Sequence, residues 1–371
     1  MAENPLKIGV VTYHRAYNYG AVLQAYALCR YLNNLGLNAE IVDYWPDHHS
    51  YVYRTNICDT KVAKKLPLLK RFKYYLITLI CSKKNIKRYS NFEKFIREQL
   101  PISSSFMNTV YDAVFYGSDT IWNTWKMNSL HKGFDDVMWG SNTVQAKHKF
   151  SYAPSMGNVI DSIETKMYCE RMLPNFDKIS VRESNLLLKL NEWGFKDVVK
   201  VVDPTLLLTK EQWDSITPSR IIKEEYVLCY NLESSSVIDN LASCISKKYN
   251  LRIIYMTAMS KPSFNTNVYD TAGVYEFLSL IKNAQFVVTS SFHGVVFSII
   301  NHKQFCFHSD CETERISSIL SSCSLSDRFV EEPDVDKLEG VIDYASVDAK
   351  LALMRRDSYR FIEDCLKISR L

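Results

Sequence analysis

The chain has 371 residues, with 45 lysine and arginine side chains against 41 aspartate and glutamate side chains, which gives a net charge of +4. A length of this order accommodates two domains, each with its own core, and so nearly balanced a charge gives no reason to expect nucleic acid as a partner. No apolar run approaches the roughly 20 residues of a membrane-spanning helix, and the N-terminal residues lack the pattern of a signal peptide. We therefore expect a cytoplasmic protein.

The ten cysteines are scattered along the chain, without a C-x-x-C pair. Several of them, such as Cys29, Cys229 and Cys306, lie inside apolar periodic segments. This pattern is typical of reduced thiols in a protein core, and it predicts neither a disulfide framework nor a zinc site.

The first half of the chain alternates short β-branched runs with segments of helical periodicity. The first strand is predicted at Leu6 to Tyr13, and a polar loop leads from it to a helix that ends at Gly36. Further strands are predicted at Ala39 to Tyr44, Tyr111 to Gly117, Lys149 to Ser155, Lys178 to Val181 and Val198 to Val202. Strands and helices in this order are typical of α/β domains with a parallel sheet.

A basic insertion, Trp45 to Leu100, interrupts this alternation, and the pattern predicts helices near Leu66 to Cys81 and Tyr89 to Gln99. Its apolar stretch, Tyr74 to Cys81, has lysines and arginines on both sides. A short apolar stretch between basic clusters suits docking on an anionic membrane surface. A solvated helix whose apolar face packs on its own domain explains the pattern equally well.

A second alternation begins after Trp213. Strands are predicted at Tyr226 to Tyr230, Leu251 to Thr257, Phe286 to Val288 and Gln304 to Phe307, and helices at Val237 to Tyr249, Val274 to Asn283 and Arg315 to Leu320. We expect two Rossmann-like α/β domains that face a cleft: residues 1–208, with the insertion at about 45–110, and residues 209–335. Residues 336–371 form a C-terminal helical segment in this interpretation. A cleft between two domains is a common place for a ligand site.

One histidine lies where a predicted strand gives way to a helix. His293 follows the polar turn at the end of the run from Phe286, and the start of a helix offers unpaired N–H groups to an anion. Gly294 beside it would let a ligand approach the backbone closely. Arg182 has the corresponding position in the first half of the chain. The simpler alternatives are a hydrogen-bonded loop histidine and a structural ion pair of Arg182 with Glu183.

Other polar residues follow strand ends in the first domain. Asp119 comes just after a strand, next to Ser118, Trp122 and Asn123, and this group suits a sugar or a small acid. Asp119 as the N-cap of a helix is the alternative. At the first helix, Asn18 and Gly20 fall where backbone N–H groups would face a ligand, although a single glycine is a weak signal for a phosphate loop.

Six short motifs occur in order: NYGAVLQAYAL at 18–28, GSDTIWN at 117–123, SYAPSMG at 151–157, SVRES at 180–184, DPTLLL at 203–208 and TSSFHG at 289–294. LMRRDSYRFI at 353–362 follows them near the C-terminus. Together, and in this order over nearly the whole chain, they resemble the polysaccharide pyruvyl transferase family.

The resemblance implies a fold like that of the GT-B glycosyltransferases, with the site in the cleft. It also implies a reaction in which phosphoenolpyruvate gives its enolpyruvyl carbons to two hydroxyls of a sugar, forming a cyclic pyruvate ketal and releasing phosphate. Galactose or N-acetylmannosamine in a lipid-linked precursor of bacterial capsule or exopolysaccharide fits the family's acceptors. The basic insertion would then place the protein at the inner face of the cytoplasmic membrane.

The same resemblance assigns roles to residues. Arg182 and His293 match donor-binding and catalytic positions, and Asp119 matches an acidic position. We expect His293 to become charged when the donor binds and to protonate the donor's methylene carbon, while Asp119 orients or deprotonates the acceptor hydroxyl. The other expected donor contacts are Ser290, Ser291, Gly294 and Arg315, and the expected acceptor contacts are Asn18, Tyr19, Gly20, Ser118, Trp122 and Asn123. No metal or further cofactor is expected, with phosphoenolpyruvate as the co-substrate.

One departure from the family's pattern lies inside the last motif. Some members carry an arginine two residues before the histidine, where this chain has Ser291. Either another cation, Arg315 or Lys261, supplies that charge, or the donor is held differently. Two other functions stay open: a GT-B-like glycosyltransferase that uses a nucleotide sugar, and a non-catalytic protein that binds glycans or anions.

Overall fold

The computed structural model describes residues 5–46, 67–124, 133–157, 159–232, 235–257, 267–309, 314–333 and 340–370. Two separate parallel sheets organise them, one of six strands and one of four. Parallel strands need crossover connections, and the alternation of strands and helices in the sequence supplies these.

The first sheet has the order β2-β1-β3-β4-β5-β6. Its strands are β1 (Lys7–Val11), β2 (Asn38–Ile41), β3 (Val110–Tyr116), β4 (Gln145–Ser151), β5 (Lys178–Val181) and β6 (Val198–Lys200), and its helices are α1 (Tyr19–Asn34), α2 (Leu68–Gln99), α3 (Ile163–Met172) and α4 (Ser184–Glu192). The strand order reverses between β1 and β3. A crevice therefore opens at the carboxyl ends of these two strands, where ligands bind in sheets of this kind.

The second sheet has the order β10-β9-β7-β8. Its strands are β7 (Tyr226–Tyr230), β8 (Arg252–Met256), β9 (Phe286–Thr289) and β10 (Gln304–Phe307), and the helices around it are α5 (Lys210–Asp214), α6 (Ser236–Tyr249), α7 (Val274–Asn283), α8 (Phe292–Ile300) and α9 (Glu314–Ser322). All five residues of β7 are buried, as expected for a central strand covered on both faces. Here the order reverses between β7 and β9.

Short 3-10 helices complete the secondary structure of the described ranges. They lie at Phe106–Asn108, Asp136–Trp139, Leu173–Asn175, Pro204–Leu206 and Ser326–Arg328. The predicted strands at 178–181, 226–230 and 304–307 and the predicted helix at 274–283 have the same bounds in the structure. The cysteines in the described residues carry no disulfide, and Cys29, Cys229 and Cys306 are buried as predicted.

Aromatic side chains join the two sheets across the cleft. The Tyr19 ring of α1 stacks on Phe277 of α7 with 4.7 Å between ring centroids and 12° between planes. The Tyr19 hydroxyl donates a hydrogen bond to the Ala272 carbonyl at 2.8 Å and accepts one from Arg88 of α2 at 2.9 Å. Because these rings are fully buried, one apolar core continues from the first domain into the second.

The last helix, α10 (Tyr344–Ile368), connects the same two domains. At its start the Tyr344 ring stacks on His302 of the second domain, with centroids 4.5 Å apart. Toward its end, the Ser358 hydroxyl accepts a hydrogen bond from the Val202 N–H at 2.9 Å, and Tyr359 stacks on Tyr31 of α1. The chain thus returns to its first domain.

The prediction of two helices in the insertion is wrong, because α2 is one continuous helix of 32 residues. The stretch Ser82 to Arg88, predicted to separate them, contains no glycine or proline to end a helix. Phe92, Phe95 and Ile96 of its second half are buried in the shared core. No helix in the described residues is long and apolar enough to cross a membrane.

Candidate active site

The residues singled out at strand ends meet where the two switch points face each other. Asp119 follows β3, Arg182 follows β5 and Asp203 follows β6, while His293 opens α8 after β9. Parallel strands direct all their carboxyl ends to one edge of the sheet, so residues far apart in sequence converge there.

The turn before His293 is fixed by its own side chains. Ser291 is the N-cap of α8, and its hydroxyl accepts a hydrogen bond from the Gly294 N–H at 3.3 Å. The Thr289 hydroxyl accepts one from the Ser291 N–H at 3.0 Å. A Cβ on Gly294 would lie 2.3 Å from that hydroxyl, so only glycine fits this tight junction of strand and helix. Ser290 likewise accepts from the Leu232 N–H at 2.8 Å.

The hydroxyls of Ser290 and Ser291, predicted to contact the donor, therefore hold backbone groups in this structure. The part of the turn that remains suited to an anion is the start of α8, because the first N–H groups of a helix have no intrahelical acceptor.

The imidazole of His293 lies against the backbone of α1 in the other domain. A Cβ built on Gly20 would be 1.8 Å from Nδ1, 2.3 Å from Cε1 and 2.4 Å from Cγ of that ring. Any side chain at position 20 would displace the ring. Gly20, predicted to face the acceptor, thus gives room to the catalytic candidate.

Arg182 is buried and held by two acids. Its Nε donates to Glu183 Oε1 at 3.0 Å and its Nη1 donates to Asp203 Oδ2 at 2.7 Å. Burial would lower the pKa of the guanidinium, but the charges of Glu183, Asp203 and Asp119 raise the pKa above its ordinary value. The ion pair with Glu183, which the sequence left as an alternative to function, is therefore present. Nη2 nevertheless has no hydrogen-bond partner among the described residues, although it is buried.

Asp203 accepts on both carboxylate oxygens. Oδ1 accepts from the Thr205 N–H at 3.0 Å and from the Thr205 hydroxyl at 2.6 Å, while Oδ2 faces Arg182 and lies 3.7 Å from Nε2 of His293. Burial by itself would raise the pKa of this carboxyl, but His293, Arg182 and Thr205 outweigh burial and hold the pKa well below its ordinary value. Asp203 is therefore a carboxylate in the folded protein.

Asp203 was not among the predicted site residues, although the signal was present in the sequence. It begins the DPTLLL motif, directly after a predicted strand, in the same relation to its strand as Arg182.

A second arginine reaches the site from α9. The Cζ atoms of Arg182 and Arg315 lie 5.0 and 6.0 Å from the centre of the same Phe292 ring. Burial, and next the positive charge of Arg182, lower the pKa of Arg315, while nearby acids that include Asp119 oppose this. Two partly desolvated cations that repel each other form a site an anion would stabilise. Lys261, the other predicted cation, lies outside the described residues.

Lys200 adds a third cation that the sequence did not single out. Its Nζ donates to the Ser184 hydroxyl at 2.8 Å and to the Ser318 hydroxyl of α9 at 3.0 Å, which joins the two domains beside Arg315. Burial lowers the pKa of this lysine. The hydrophobic periodicity of a strand as short as β6 does not indicate where the end of a long lysine side chain lies, so the sequence did not predict this contact.

Asp119 caps no helix, since the residues after it form turns. It has a left-handed backbone with φ of 68°, and its Oδ1 accepts from the Thr120 N–H at 2.7 Å. Its charge acts on both arginines of the site. A half-buried carboxylate thus faces the cations from the first domain.

Two of the predicted acceptor contacts lie in the core instead. Trp122 is fully buried, stacks on Trp139 at 4.3 Å and donates its N–H to the Met138 carbonyl, so no face of its ring is left for a sugar. Tyr19 belongs to the contact between domains described above. Both assignments are corrected, because the rings of Trp122 and Tyr19, expected to contact the acceptor, fill the interior.

Ser118 is also fully buried, and its polar groups bond to other residues of the first domain. Its N–H donates to Gln24 Oε1 at 3.0 Å, and its hydroxyl donates to the Ala153 carbonyl at 2.7 Å. Asn18 is exposed and caps α1, accepting from the N–H groups of Gly20 and Ala21. Asn123 is half-buried near Gly157. Of the predicted acceptor residues, Asn18 and Asn123 keep the exposure that a ligand contact needs.

Within the described ranges, no group of three or more His, Cys, Asp or Glu side chains is arranged to hold a metal ion. The charged groups of the site are instead the cations Arg182, Arg315 and Lys200, the carboxylates of Asp119, Glu183 and Asp203, and His293.

Comparison with known proteins identifies the family to which the chain belongs and the fold that it shares. A sequence model of the family described as polysaccharide pyruvyl transferase matches residues 18–308, a range that holds every site residue above except Arg315 and Ser318. No curated protein matches the chain.

Among solved structures, UDP-N-acetylglucosamine 2-epimerase from Rickettsia bellii is similar, with a TM-score of 0.51, 11% identity, and coverage of 99% of this chain and 98% of that one. A putative enzyme of the same name from Listeria monocytogenes has a TM-score of 0.49, 9% identity, and coverage of 97% and 95%. The enzyme from Methanocaldococcus jannaschii has a TM-score of 0.47, 13% identity, and coverage of 94% and 93%. The first of these likenesses concerns the fold alone, and the predicted GT-B-like fold is confirmed.

Proposed function

Because the chain belongs to the polysaccharide pyruvyl transferase family, we propose that it transfers the enolpyruvyl group of phosphoenolpyruvate to two hydroxyls of a sugar. The product is a cyclic pyruvate ketal on a lipid-linked precursor of a surface polysaccharide, and phosphate is released. The observation that carries this proposal is the pair of arginines on Phe292, one of which has a buried and unpartnered Nη2.

Phosphoenolpyruvate carries a phosphate and a carboxylate within a few bonds of each other, so its site needs fixed cations and N–H donors. Arg182 offers Nη2 from a guanidinium that its acids hold in place, and Arg315 offers a second guanidinium nearby. The N-terminal N–H groups of α8 add donors at the same place. A hydrogen bond to a charged group contributes about 1.5–3 kcal/mol, and two such groups account for useful donor affinity.

Arg315 takes the role of the arginine that some family members carry at the position of Ser291. Its pKa is lowered by burial and by the positive charge of Arg182, so an anion bound beside the two guanidinium groups would stabilise both charges.

The chemistry begins with a proton from His293 to the methylene carbon of the donor. The π electrons of the double bond form the new C–H bond, and the central carbon becomes electrophilic. One sugar hydroxyl adds to that carbon and loses its proton to a base. The bond to the phosphate oxygen then breaks, phosphate leaves with the electron pair, and the second hydroxyl adds and loses its proton. Of the two hydroxyl protons, one restores the histidine and the other leaves with phosphate.

Asp119 is suited to the acceptor side of this reaction. It lies in the first domain, close enough to Arg182 and Arg315 for its charge to act on both, and remains half-exposed. A carboxylate there orients the sugar hydroxyl and accepts its proton. We propose no metal and no redox cofactor, because the steps are proton transfers, two additions and the departure of phosphate, with no net oxidation or reduction.

A lipid-linked acceptor would bring the protein to the inner membrane face. The first half of α2 exposes Leu68, Leu69, Phe72 and Leu76, with exposed fractions of 81%, 88%, 71% and 46%. Their spacing places them on one side of a helix whose sequence is rich in lysine, as in helices that lie on anionic membranes.

The test is incubation with phosphoenolpyruvate and a panel of lipid-linked oligosaccharides, followed by phosphate assay and mass spectrometry. We expect phosphate release only with an acceptor, and a product with the mass of a pyruvate ketal. His293→Gln should abolish both, while Arg360→Lys, at an exposed position of α10, should leave both unchanged.

The likeness in fold to an enzyme named for a UDP-sugar supports one alternative, a glycosyltransferase that uses a nucleotide sugar. Consumption of a nucleotide sugar with no use of phosphoenolpyruvate would establish it. Tight binding of phosphoenolpyruvate without turnover on any acceptor would instead indicate a non-catalytic anion-binding protein.

A further inference from the structure

One oxygen of Asp203 faces both of the residues expected to act on the donor. Oδ2 accepts from Nη1 of Arg182 at 2.7 Å and lies 3.7 Å from Nε2 of His293. Asp203 belongs to the segment after β6 and His293 to the second domain, so this contact spans the cleft. The carboxylate is fully buried, and its position is fixed from the other side by the N–H and hydroxyl of Thr205.

The two nitrogens of the His293 ring have different surroundings. Nε2 is buried and has no hydrogen-bond partner among the described residues, and the nearest acidic oxygen is that of Asp203. The side chain keeps 10% of its surface exposed. Of its two ring nitrogens, Nε2 is the one that is buried without a hydrogen-bond partner, and Nδ1 is not.

Gly20 does not block Nδ1. A Cβ on Gly20 would come almost as close to Cε1 and Cγ as to Nδ1, which places it over the face of the ring. A point in the ring plane, on the outward side of Nδ1, would lie much farther from both neighbours. The direction in which Nδ1 exchanges a proton, which lies in the plane of the ring, therefore points away from the Cβ position of Gly20.

We propose that Asp203 is a positioning residue that accepts a hydrogen bond from Nε2–H of His293, and that Nδ1 is the nitrogen that exchanges protons with the donor. Only the identity of the reacting molecule rests on the proposed function, because the orientation of the ring is a property of the protein alone. The present distance of 3.7 Å between Nε2 and Oδ2 has to shorten by about 0.5 Å or more to reach hydrogen-bond distance, a movement within the reach of a small rotation of the imidazole.

This arrangement determines how the proton moves. In the charged ring both nitrogens carry a proton, and Nε2–H stays with the Asp203 carboxylate. The Nδ1–H bond breaks as the donor's π electrons form the C–H bond, and the ring is left neutral with its proton on Nε2. The next proton, from a sugar hydroxyl, returns to Nδ1. Asp203 itself exchanges no proton, since its pKa is held low by its neighbours.

The geometry also couples donor binding to the ring. Arg182 and His293 share Oδ2, so a donor that draws the Arg182 guanidinium toward itself leaves more of the oxygen's lone-pair capacity for Nε2–H. One carboxylate thus positions both the guanidinium of Arg182 in the first domain and the imidazole of His293 in the second.

The test is NMR of the full chain with 15N-labelled histidine, at a pH where the His293 ring is neutral. His293→Gln identifies its signals by their loss. We expect the ring proton on Nε2, protected from exchange with water, and a downfield proton resonance from its bond to a carboxylate. A ring protonated on Nδ1 would overturn the proposal without any variant.

Two variants that each remove one negative charge then distinguish a positioning role of Asp203 from a general structural effect. Asp203→Asn should move the Nε2–H resonance upfield and shorten its protection, whereas Glu183→Gln, which removes the other acid from Arg182, should leave it in place. Equal effects of both, or no effect of Asp203→Asn, would contradict the role of Asp203. Should Asp203→Asn fail to fold, Asp203→Glu replaces it, and an Nε2–H resonance that this longer carboxylate leaves unmoved counts against the proposal.

These readouts need no substrate. A protein that makes no pyruvate ketal and yet shows the expected Nε2–H signal contradicts the proposed function only. A protein with full transfer activity and an Nδ1–H ring contradicts the inference only.

Discussion

At the residue scale, the position of His293 depends on a glycine in the other domain. The ring lies where the Cβ of any other residue at position 20 would be, 1.8 Å from Nδ1. The pair is separated by more than 270 positions in sequence, so a local pattern shows His293 but not the residue that gives it room.

Gly20→Ala should therefore lower kcat about 100-fold, since a displacement of about 1 Å at a reacting group costs that much. The fold should persist, because the ring can move toward the cleft. Gly340→Ala is the matched control, since its Cβ would meet only the end of the Arg328 side chain at 3.4 Å. Steady-state kinetics and thermal unfolding of both variants check this, and unchanged turnover of Gly20→Ala would remove the close contact from the mechanism.

Arg315→Met tests the second cation. Loss of one charge-assisted contact of about 1.5–3 kcal/mol should weaken phosphoenolpyruvate binding about 10- to 150-fold. The empty protein should be no less stable than the wild type, because Arg182 loses a repulsive neighbour. Calorimetric titration and thermal unfolding measure both, with exposed Arg360→Met as the control. Wild-type affinity in Arg315→Met would show that the donor is held elsewhere.

The buried pair of Arg182 and Asp203 should be visible in the pH dependence of stability. Breaking a buried ion pair costs about 3–5 kcal/mol, and Glu183, which remains, should hold the loss in Asp203→Asn near the lower end. The pKa of Asp203 is lowered in the folded state, so its contribution is complete above the unfolded value of about 3.9 and declines as pH falls below it. Urea unfolding from pH 7 to pH 3.5 should show the difference between wild type and variant narrow below about pH 4. A constant difference would mean that Asp203 is not a low-pKa carboxylate.

The sequence led to Arg182, Asp119 and His293 because a polar residue just after a buried strand has a defined place in a parallel sheet. It misassigned Trp122 and Tyr19 because an aromatic residue next to polar ones is equally common on a surface and in a core. Burial separates these cases, and burial depends on Trp139 and Phe277, which are distant in sequence.

At the scale of elements, α2 has two halves with different surroundings. Its second half is fixed to the second domain: Arg88 donates to the Thr257 carbonyl at 3.2 Å, the Asn91 amide donates to the Thr271 carbonyl at 2.9 Å, and Gln99 donates to the Tyr275 hydroxyl at 2.9 Å. Its first half exposes the leucines and Phe72 named above. The packing interpretation of the insertion therefore applies to the second half of α2, whereas the membrane interpretation of its first half stays a prediction.

The membrane interpretation of the first half of α2 is tested with Leu69→Glu combined with Phe72→Glu. We expect the wild type to float with vesicles that contain anionic lipid, less so at high salt, and the variant to stay in solution. Leu188→Glu is the control, since Leu188 is a 68% exposed leucine on α4. Equal flotation of variant and wild type, or no flotation of the wild type, would exclude this half of α2 as a membrane contact.

Element bounds followed from periodicity wherever strands were short and bounded by polar turns, as at β5, β7 and β10. The error at α2 has a physical cause. A polar stretch of good helix formers within a helix looks like a boundary when only hydrophobicity is considered, and only glycine, proline or a cap would have ended the helix.

At the scale of the whole molecule, the switch points of the two sheets lie opposite each other, and each domain contributes part of the site. The first domain supplies Arg182, Asp203 and Asp119, and the second supplies His293, Arg315 and the N-terminus of α8. Tyr19 and α10 hold the domains together through buried stacking and hydrogen bonds. The site exists only in the assembled pair, which is why strand-end positions indicated its members while the distances between them required the structure.

The most direct test of pyruvyl transfer with His293 as the acid is the reaction in D2O, with the ketal product analysed by mass spectrometry and NMR. Protonation of the methylene carbon predicts a single deuterium in the methyl group of the ketal, formed together with one phosphate per ketal, and loss of both in His293→Gln. A product methyl group without deuterium, or a sugar product formed while phosphoenolpyruvate stays intact, would contradict it.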